Sequence, residues 1–232
     1  MPWYPVEVYE KHYLASDDPY TQSGFRGDAA RWESARRPIC EAIDRPGTFL
    51  DVGCANGLLM ESVAAWSPHR VEPYGLDFSP RLVELARRRL PHWTDRIFLG
   101  EVLEWEPPHE FDFVRTELVY VPEGRRRDLL ARLFSYAGRL VVCSYGSLRS
   151  GKPVEPVGEI LQSFDLEIAG ELEHEGLEGA LVRLAWLDQP GRLVSWKSPR
   201  GTIPERAHSS ERLHSPGASA YQAGETFGCS CR

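Results

Sequence analysis

The chain holds 232 residues, 42% hydrophobic and 26% charged, a balance that excludes wholesale disorder, collagen-like repeats and coiled coil and predicts one main core with accessory segments. Its formal charge of -7 argues against a dedicated nucleic-acid binder, because neutralising phosphates requires a basic face. No apolar run reaches the roughly 18 residues that cross a bilayer, and the start, MPWYPVEVYEKHYL, has no basic stretch followed by an apolar one, so neither membrane spanning nor secretion is expected.

Residues 1–47 carry Trp3, Tyr4, Tyr9, Tyr13, Tyr20, Phe25 and Trp32, much of the aromatic content. They read as a helical cap, or lid, over the ligand edge of the domain that follows. Residues 48–188 alternate strand-length apolar runs with amphipathic stretches, the pattern of an α/β protein with a largely parallel sheet. A strand is predicted at Thr48 to Val52, a helix at Leu58 to Trp66 and a second strand at Pro73 to Asp77. Ser79-Pro80 opens the next helix, since serine caps free amides and proline is tolerated at the first helical position. Leu82, Leu85, Ala86 and Leu90 give that helix its apolar face.

Further strands are predicted at Arg96 to Leu99, Phe111 to Thr116 and Arg139 to Ser144, with a helix from Glu123 to Tyr136 before the last. A short helix near Val154 to Ser163 leads to strand-like runs at Phe164 to Glu173 and Gly179 to Leu187. The link His174 to Glu178 is too short for a parallel crossover, so these two form an antiparallel hairpin. The fold expected is α/β: a doubly wound, mixed, seven-stranded sheet with an antiparallel terminal hairpin and an N-terminal helical lid. Residues 189–232 have 16 Gly, Pro or Ser among 44 positions and no periodicity, and read as a disordered tail. That tail carries 6 Lys+Arg against 3 Asp+Glu, which leaves 21 against 31 for residues 1–188. The Arg87 to Arg89 and Arg125 to Arg127 runs read as solvated helix faces.

Five cysteines, Cys40, Cys54, Cys143, Cys229 and Cys231, do not suggest a disulfide framework and fit a reducing cytoplasm. Cys229 and Cys231 read as an incidental pair. The seven histidines lack metal-ligand spacing, so no metal site is expected. Arginine outnumbers lysine 24 to 3, as in a GC-rich, bacterial genome.

Asp51-Val52-Gly53-Cys54-Ala55-Asn56-Gly57 falls between the first strand and first helix, where a doubly wound sheet binds ligands at its carboxyl edge. Glycine there allows a tight turn and a close approach. Asp77 closes the second strand, where a carboxylate can accept from both ribose hydroxyls. The conjunction points to a nucleoside-containing ligand. A dinucleotide would need G-x-G-x-x-G, and here Ala55 and Leu58 hold the second and third glycine positions.

FLDVGCANG, YGLDFSP, FLGEVLEW and FDFVRTELVYVP resemble, in content and order, the motifs of the class I S-adenosylmethionine-dependent methyltransferases, over residues 35–188. The terminal hairpin suits that family's reversed seventh strand in its Rossmann-like fold. The resemblance implies S-adenosylmethionine as cofactor. Gly53 and Gly57 would face it, with Asp51 near its methionine end, and Cys54, a small buried filler, and Ala55 would complete the loop. Asp77 would hold the ribose, Phe78 would lie against the adenine, Glu101 would accept from the adenine amino group and the Val102 amide would meet the ring. Thr116 would offer backbone near the methionine moiety.

The Asn/Asp-Pro-Pro-Tyr signature of many amino-group methyltransferases is absent after the fourth strand, which lowers the odds of adenine or glutamine N-methylation. The leading expectation is a cytoplasmic enzyme that methylates a small molecule, with Glu117, His12 and Tyr20 near the acceptor as catalytic candidates. Arg115 fits pairing with a carboxylate as well as a role in the site, and Tyr120 reads as packing. The rival readings are a protein or RNA methyltransferase, a non-catalytic S-adenosylmethionine-binding regulator and a nicotinamide-dependent oxidoreductase. The acceptor and the oligomeric state are not legible.

Overall fold

The computed structural model describes residues 5–148, 151 and 153–189. The predicted tail, with Cys229 and Cys231, lies outside the described residues apart from Gln189. In chain order the elements are α1 (Val6–Tyr13), α2 (Ala29–Arg36), β1 (Gly47–Val52), α3 (Leu58–Trp66), β2 (Val71–Asp77), α4 (Pro80–Arg89), β3 (Ile97–Leu99), β4 (Phe111–Glu117), α5 (Arg126–Phe134), β5 (Ala137–Ser147), α6 (Val157–Ser163), β6 (Gly170–Glu175) and β7 (Ala180–Asp188), with short helical turns between several of them.

The strands form one sheet in the order β3-β2-β1-β4-β5-β7-β6. All neighbours are parallel except β5 with β7 and β6 with β7. The expected mixed sheet and terminal hairpin are both present. Strand order reverses between β1 and β4, the switch point at which such sheets bind ligands.

Alternation along the strands splits the core into two layers. Leu50, Val114 and Leu140 face α5 and α6, packing with Leu129, Leu133 and Leu161. Phe49, Phe113 and Val141 face the other way, onto Ile39, Val63 and Trp32. Ser79 caps α4 by accepting from the Leu82 amide at 3.2 Å, ahead of Pro80. Asp28 caps α2 in the same way through the Arg31 amide at 2.9 Å. Pro73 is tolerated inside β2 because β3 pairs only with Gly75–Asp77, so the proline lies where β2 has a single neighbour.

Several boundaries differ from the sequence reading. The strand predicted from Phe164 begins only at Gly170, because Asp165 turns the chain at φ 61° and residues 164–169 close off α6. The helix predicted from Val154 starts at Val157, after Pro156. The helix predicted over Glu123 to Tyr136 shortens to α5, preceded by the turn Glu123–Arg125.

Residues 5–25 lie across the carboxyl edge. Tyr9 meets Phe78 edge-on with ring centroids 5.1 Å apart, and Glu10 accepts from the Ser79 hydroxyl at 2.8 Å. Residues 29–43 do not form a separate cap; Trp32, Ala35 and Ile39 are part of the sheet's own core. No helix among the described residues is long and apolar enough to cross a membrane.

Candidate active site

The chain leaves β1 at Val52 and turns at once, the Gly53 and Cys54 amides both donating to the Leu76 carbonyl, at 2.8 and 3.1 Å. Three residues of the loop have positive φ: Gly53 at 76°, Ala55 at 47° and Gly57 at 77°. Gly53 also admits Tyr120, since a Cβ there would sit 2.7 Å from the tyrosine Cζ. Ala55 is the strained member, because the left-handed region costs an L-residue roughly 1–2 kcal/mol. The Asp77 carboxylate holds it there.

Asp77 accepts from the Ala55 amide through Oδ2 at 2.8 Å and from the Ser79 amide through Oδ1 at 2.9 Å. It thus ties the glycine loop to the start of α4, and a ribose contact would use the lone pairs that remain. Burial pushes its carboxyl up to about 6, while the Ser79 and Ala55 amides pull it down. Asn56, fully buried, clamps the loop from the other side. Its Nδ2 donates to the Pro19 carbonyl at 2.8 Å, and its Oδ1 accepts from the Ser23 hydroxyl at 2.5 Å and the Leu58 amide at 3.1 Å.

At the end of β3, Glu101 keeps a buried Oε2 with no hydrogen-bond partner among the described residues. A buried acceptor without a donor costs about 1–3 kcal/mol and marks a place for a ligand N–H. Val102 beside it is buried in the core, and Phe78 stands half-buried under Tyr9. Cys54 is buried, and its Sγ would meet a Cβ placed on Gly75. Burial pushes its thiol well up, away from the thiolate form that a nucleophile requires.

Arg115, on β4, organises the far side of the site. It donates from Nη1 to Asp51 Oδ1 at 3.2 Å and to the Tyr120 hydroxyl at 3.1 Å, and from Nη2 to Glu117 Oε1 and to the Tyr145 hydroxyl at 3.3 Å. Tyr120 donates to Glu117 Oε1 at 3.1 Å, so it is part of this network as well as packing on Gly53. Burial pushes the Asp51 carboxyl up to about 6 against the pull of Arg115. One cation thus lies between two carboxylates, and the remaining negative charge suits a ligand bearing ammonium and sulfonium groups. Thr116 is fully buried, in register with Val142 on β5.

The three acceptor-side candidates are not brought together. Glu117 joins the Arg115 network, whereas Tyr20 packs with Phe25 and Trp32, at centroid distances of 6.5 and 6.0 Å. His12 is exposed, its ring against Tyr13. Sequence reasoning left out Tyr145 and Asn56 and undervalued Arg115. The available signal was an arginine inside a strand otherwise buried, FDFVRTE, and an asparagine between the loop's alanine and its last glycine.

Residues 49–137 match the family described as "Methyltransferase domain". A curated relative, trans-aconitate 2-methyltransferase of Methylobacterium radiotolerans, is 36% identical over 34% of this chain and 38% of its own length, so the match spans little more than a third of that relative. Among solved structures, magnesium protoporphyrin IX methyltransferase (ChlM) of Synechocystis PCC 6803 with bound S-adenosylhomocysteine superposes with a TM-score of 0.54 at 14% identity, covering 79% of this chain and 98% of that one. The [4+2]-cyclase SpnF superposes with a TM-score of 0.57 at 12% identity, covering 80% and 96%. At such identities the two structures speak for the fold alone. The family match runs from β1 to the first residue of β5 and takes in the glycine loop, Asp77, Glu101 and Arg115, so residues 49–137 are similar to a methyltransferase domain, on a fold shared with a structure that holds S-adenosylhomocysteine.

Proposed function

We propose that the protein transfers a methyl group from S-adenosylmethionine to a small-molecule acceptor by in-line displacement. The observation that carries this reading is Glu101 Oε2 at the end of β3, buried and without a partner among the described residues, across the carboxyl edge from a glycine loop held open at positive φ. When bound, the cofactor supplies an electrophilic methyl on a sulfonium and leaves as the neutral thioether.

The chain's own groups do the rest. Glu101 accepts from the adenine amino group and Phe78 covers the ring. Asp77 holds Ala55 and, through it, the shape of the loop under the methionine end. Asp51 and Glu117 supply the negative charge that a doubly cationic ligand requires. Glu117 Oε1 is engaged by Arg115 and Tyr120, while Oε2 accepts nothing among the described residues and faces the acceptor side to orient a nucleophile or take its proton.

Residues 5–25 act as the lid that excludes water, being bonded to Ser79 and Asn56 across the cofactor edge. Their coverage of that edge favours a small acceptor over protein or RNA, as does the acidic body. The curated relative makes carboxylic acids the first acceptors to try, and the cysteine usage favours the cytoplasm. The test is incubation with methyl-labelled donor and a fractionated metabolite extract. Label in a small product confirms transfer, whereas tight S-adenosylhomocysteine binding with no transfer to any fraction would make the protein a non-catalytic binder.

A further inference from the structure

Arg36 ends α2 half-buried, and its guanidinium carbon stands 3.6 Å from the centroid of the Tyr145 ring. Phe25 and Trp32 flank the same group, at 5.2 and 5.1 Å. At 3.6 Å the guanidinium lies directly over the ring face, which leaves its in-plane N–H donors pointing edgewise, the fork that takes a carboxylate with two parallel hydrogen bonds.

Those donors are almost unused. The polar contact recorded for them is Nη1 to the Ala35 carbonyl at 3.5 Å, the outer limit of a hydrogen bond. No carboxylate reaches Arg36 within ion-pair distance among the described residues. Glu33, one turn away, is taken by the exposed Arg37. Tyr145 offers no charge, since burial pushes its phenol well above the usual range. In an acidic chain with many arginine–carboxylate pairs, this cation is held in an aromatic niche without a counter-ion among the described residues.

The Tyr145 hydroxyl accepts from Arg115 Nη2 at 3.3 Å, and the Arg115 guanidinium carbon lies 5.5 Å from the same ring centroid. The two guanidinium groups therefore share one tyrosine at the carboxyl ends of β4 and β5. Arg115 is neutralised by Asp51 and Glu117; Arg36 is not.

We propose that Arg36 is the specificity-determining residue of the acceptor site, receiving a carboxylate carried by the acceptor through the guanidinium fork stacked on Tyr145. This rests on reading the site as one of methyl transfer. The anchored carboxylate is not the group methylated, because its lone pairs are engaged by the guanidinium. The acceptor therefore carries a second nucleophilic group, a hydroxyl, an amine or another carboxylate, that reaches toward Glu117.

The test uses the full chain saturated with S-adenosylhomocysteine, titrated calorimetrically with benzoate and propane-1,2,3-tricarboxylate and, in parallel, with their primary amides. The carboxylates are expected to bind and the amides to fail. Arg36→Gln should weaken carboxylate binding by about tenfold or more, Arg36→Lys should retain part of it, and Arg37→Gln should leave it unchanged. Unaltered S-adenosylhomocysteine affinity in Arg36→Gln shows that the variant is folded and that the cofactor reading stands. Carboxylate binding that survives Arg36→Gln, or failure of both carboxylates to bind wild type at millimolar concentration, overturns the proposal. Failure of S-adenosylhomocysteine itself to bind would instead strike the methyl-transfer reading, and the carboxylate titration of the free protein would still decide the role of Arg36.

Discussion

Asp51 and Arg115 are register partners on the adjacent parallel strands β1 and β4, and their side chains meet at 3.2 Å where they are 1% and 3% exposed. A charge pair so deep is worth keeping only if most of its remaining valences are met, and Glu117, Tyr120 and Tyr145 meet those of the two terminal nitrogens of the arginine, while its buried Nε has no partner among the described residues. Arg115→Met leaves Asp51 and Glu117 without their cation. Urea denaturation should show a loss of about 3–5 kcal/mol, and Asp51→Asn in that background should restore part of it. A loss below about 1 kcal/mol would mean that water enters the cluster.

The raised carboxyls of Asp51 and Asp77 give opposite pH slopes to stability and to cofactor affinity. Each is held near 6 when folded, against an ordinary value of 3.8, so the native state binds protons that the unfolded chain releases. The stability these two groups contribute is fully present below about pH 3.8, and it is lost as the pH rises through about 6. Affinity for the cationic cofactor runs the other way, because it needs Asp51 ionised: full above that range, it declines as the pH falls through about 6. Calorimetry across this range should show the decline in wild type and a flatter profile in Asp51→Asn.

Glu101→Ala separates ligand binding from folding. The substitution removes a buried oxygen that no donor among the described residues satisfies, so thermal stability should hold or rise. Affinity for S-adenosylhomocysteine should fall by about 1.5–3 kcal/mol, the worth of a charge-assisted hydrogen bond. Unchanged affinity would place the adenine elsewhere.

Asp77→Ala should cost stability as well as affinity. It leaves the Ala55 and Ser79 amides without their acceptor, at about 1–3 kcal/mol each, and releases the strain at Ala55 into a disordered loop. Melting that stays put while affinity drops would assign Asp77 to the ribose and not to the loop.

The lid has to be tested by a short truncation. Removing residues 1–34 would be expected from sequence to spare the sheet, but Trp32 is part of its core and its Nε1 donates to the Ser62 hydroxyl at 2.9 Å. That deletion should unfold the protein, since losing a buried tryptophan alone costs about 3–5 kcal/mol. Removing residues 1–14 takes away α1 with its contacts to Phe78, Ser79 and Arg81 and leaves Trp32 in place. Melting should then shift little and methyl transfer should fall far more than cofactor affinity; transfer at the wild-type rate would reduce α1 to packing.

Periodicity and turn chemistry act over a few residues, and what depends on them was legible in the chain: the strand–loop–helix order, the Ser79-Pro80 start of α4, the hairpin imposed by a short link, and the glycine loop with Asp77 at the next strand's end. The start of β6 was misjudged because Phe164, Leu166 and Ile168 alternate like a strand, yet they pack against the core beneath α6, and Asp165 turns the chain. Side-chain partnerships across the sheet carry no local signature. Only the register of β1 with β4 set Asp51 against Arg115, only β2 returning beside β1 bent Asp77 onto Ala55, and only the packing of α2 on the hairpin side laid Arg36 over Tyr145. Such contacts join residues tens of positions apart, and burial decides their chemistry: a carboxylate that sequence places on a ribose can equally be spent on backbone amides, and an arginine in a strand becomes the centre of a site once two acids and two tyrosines converge on it.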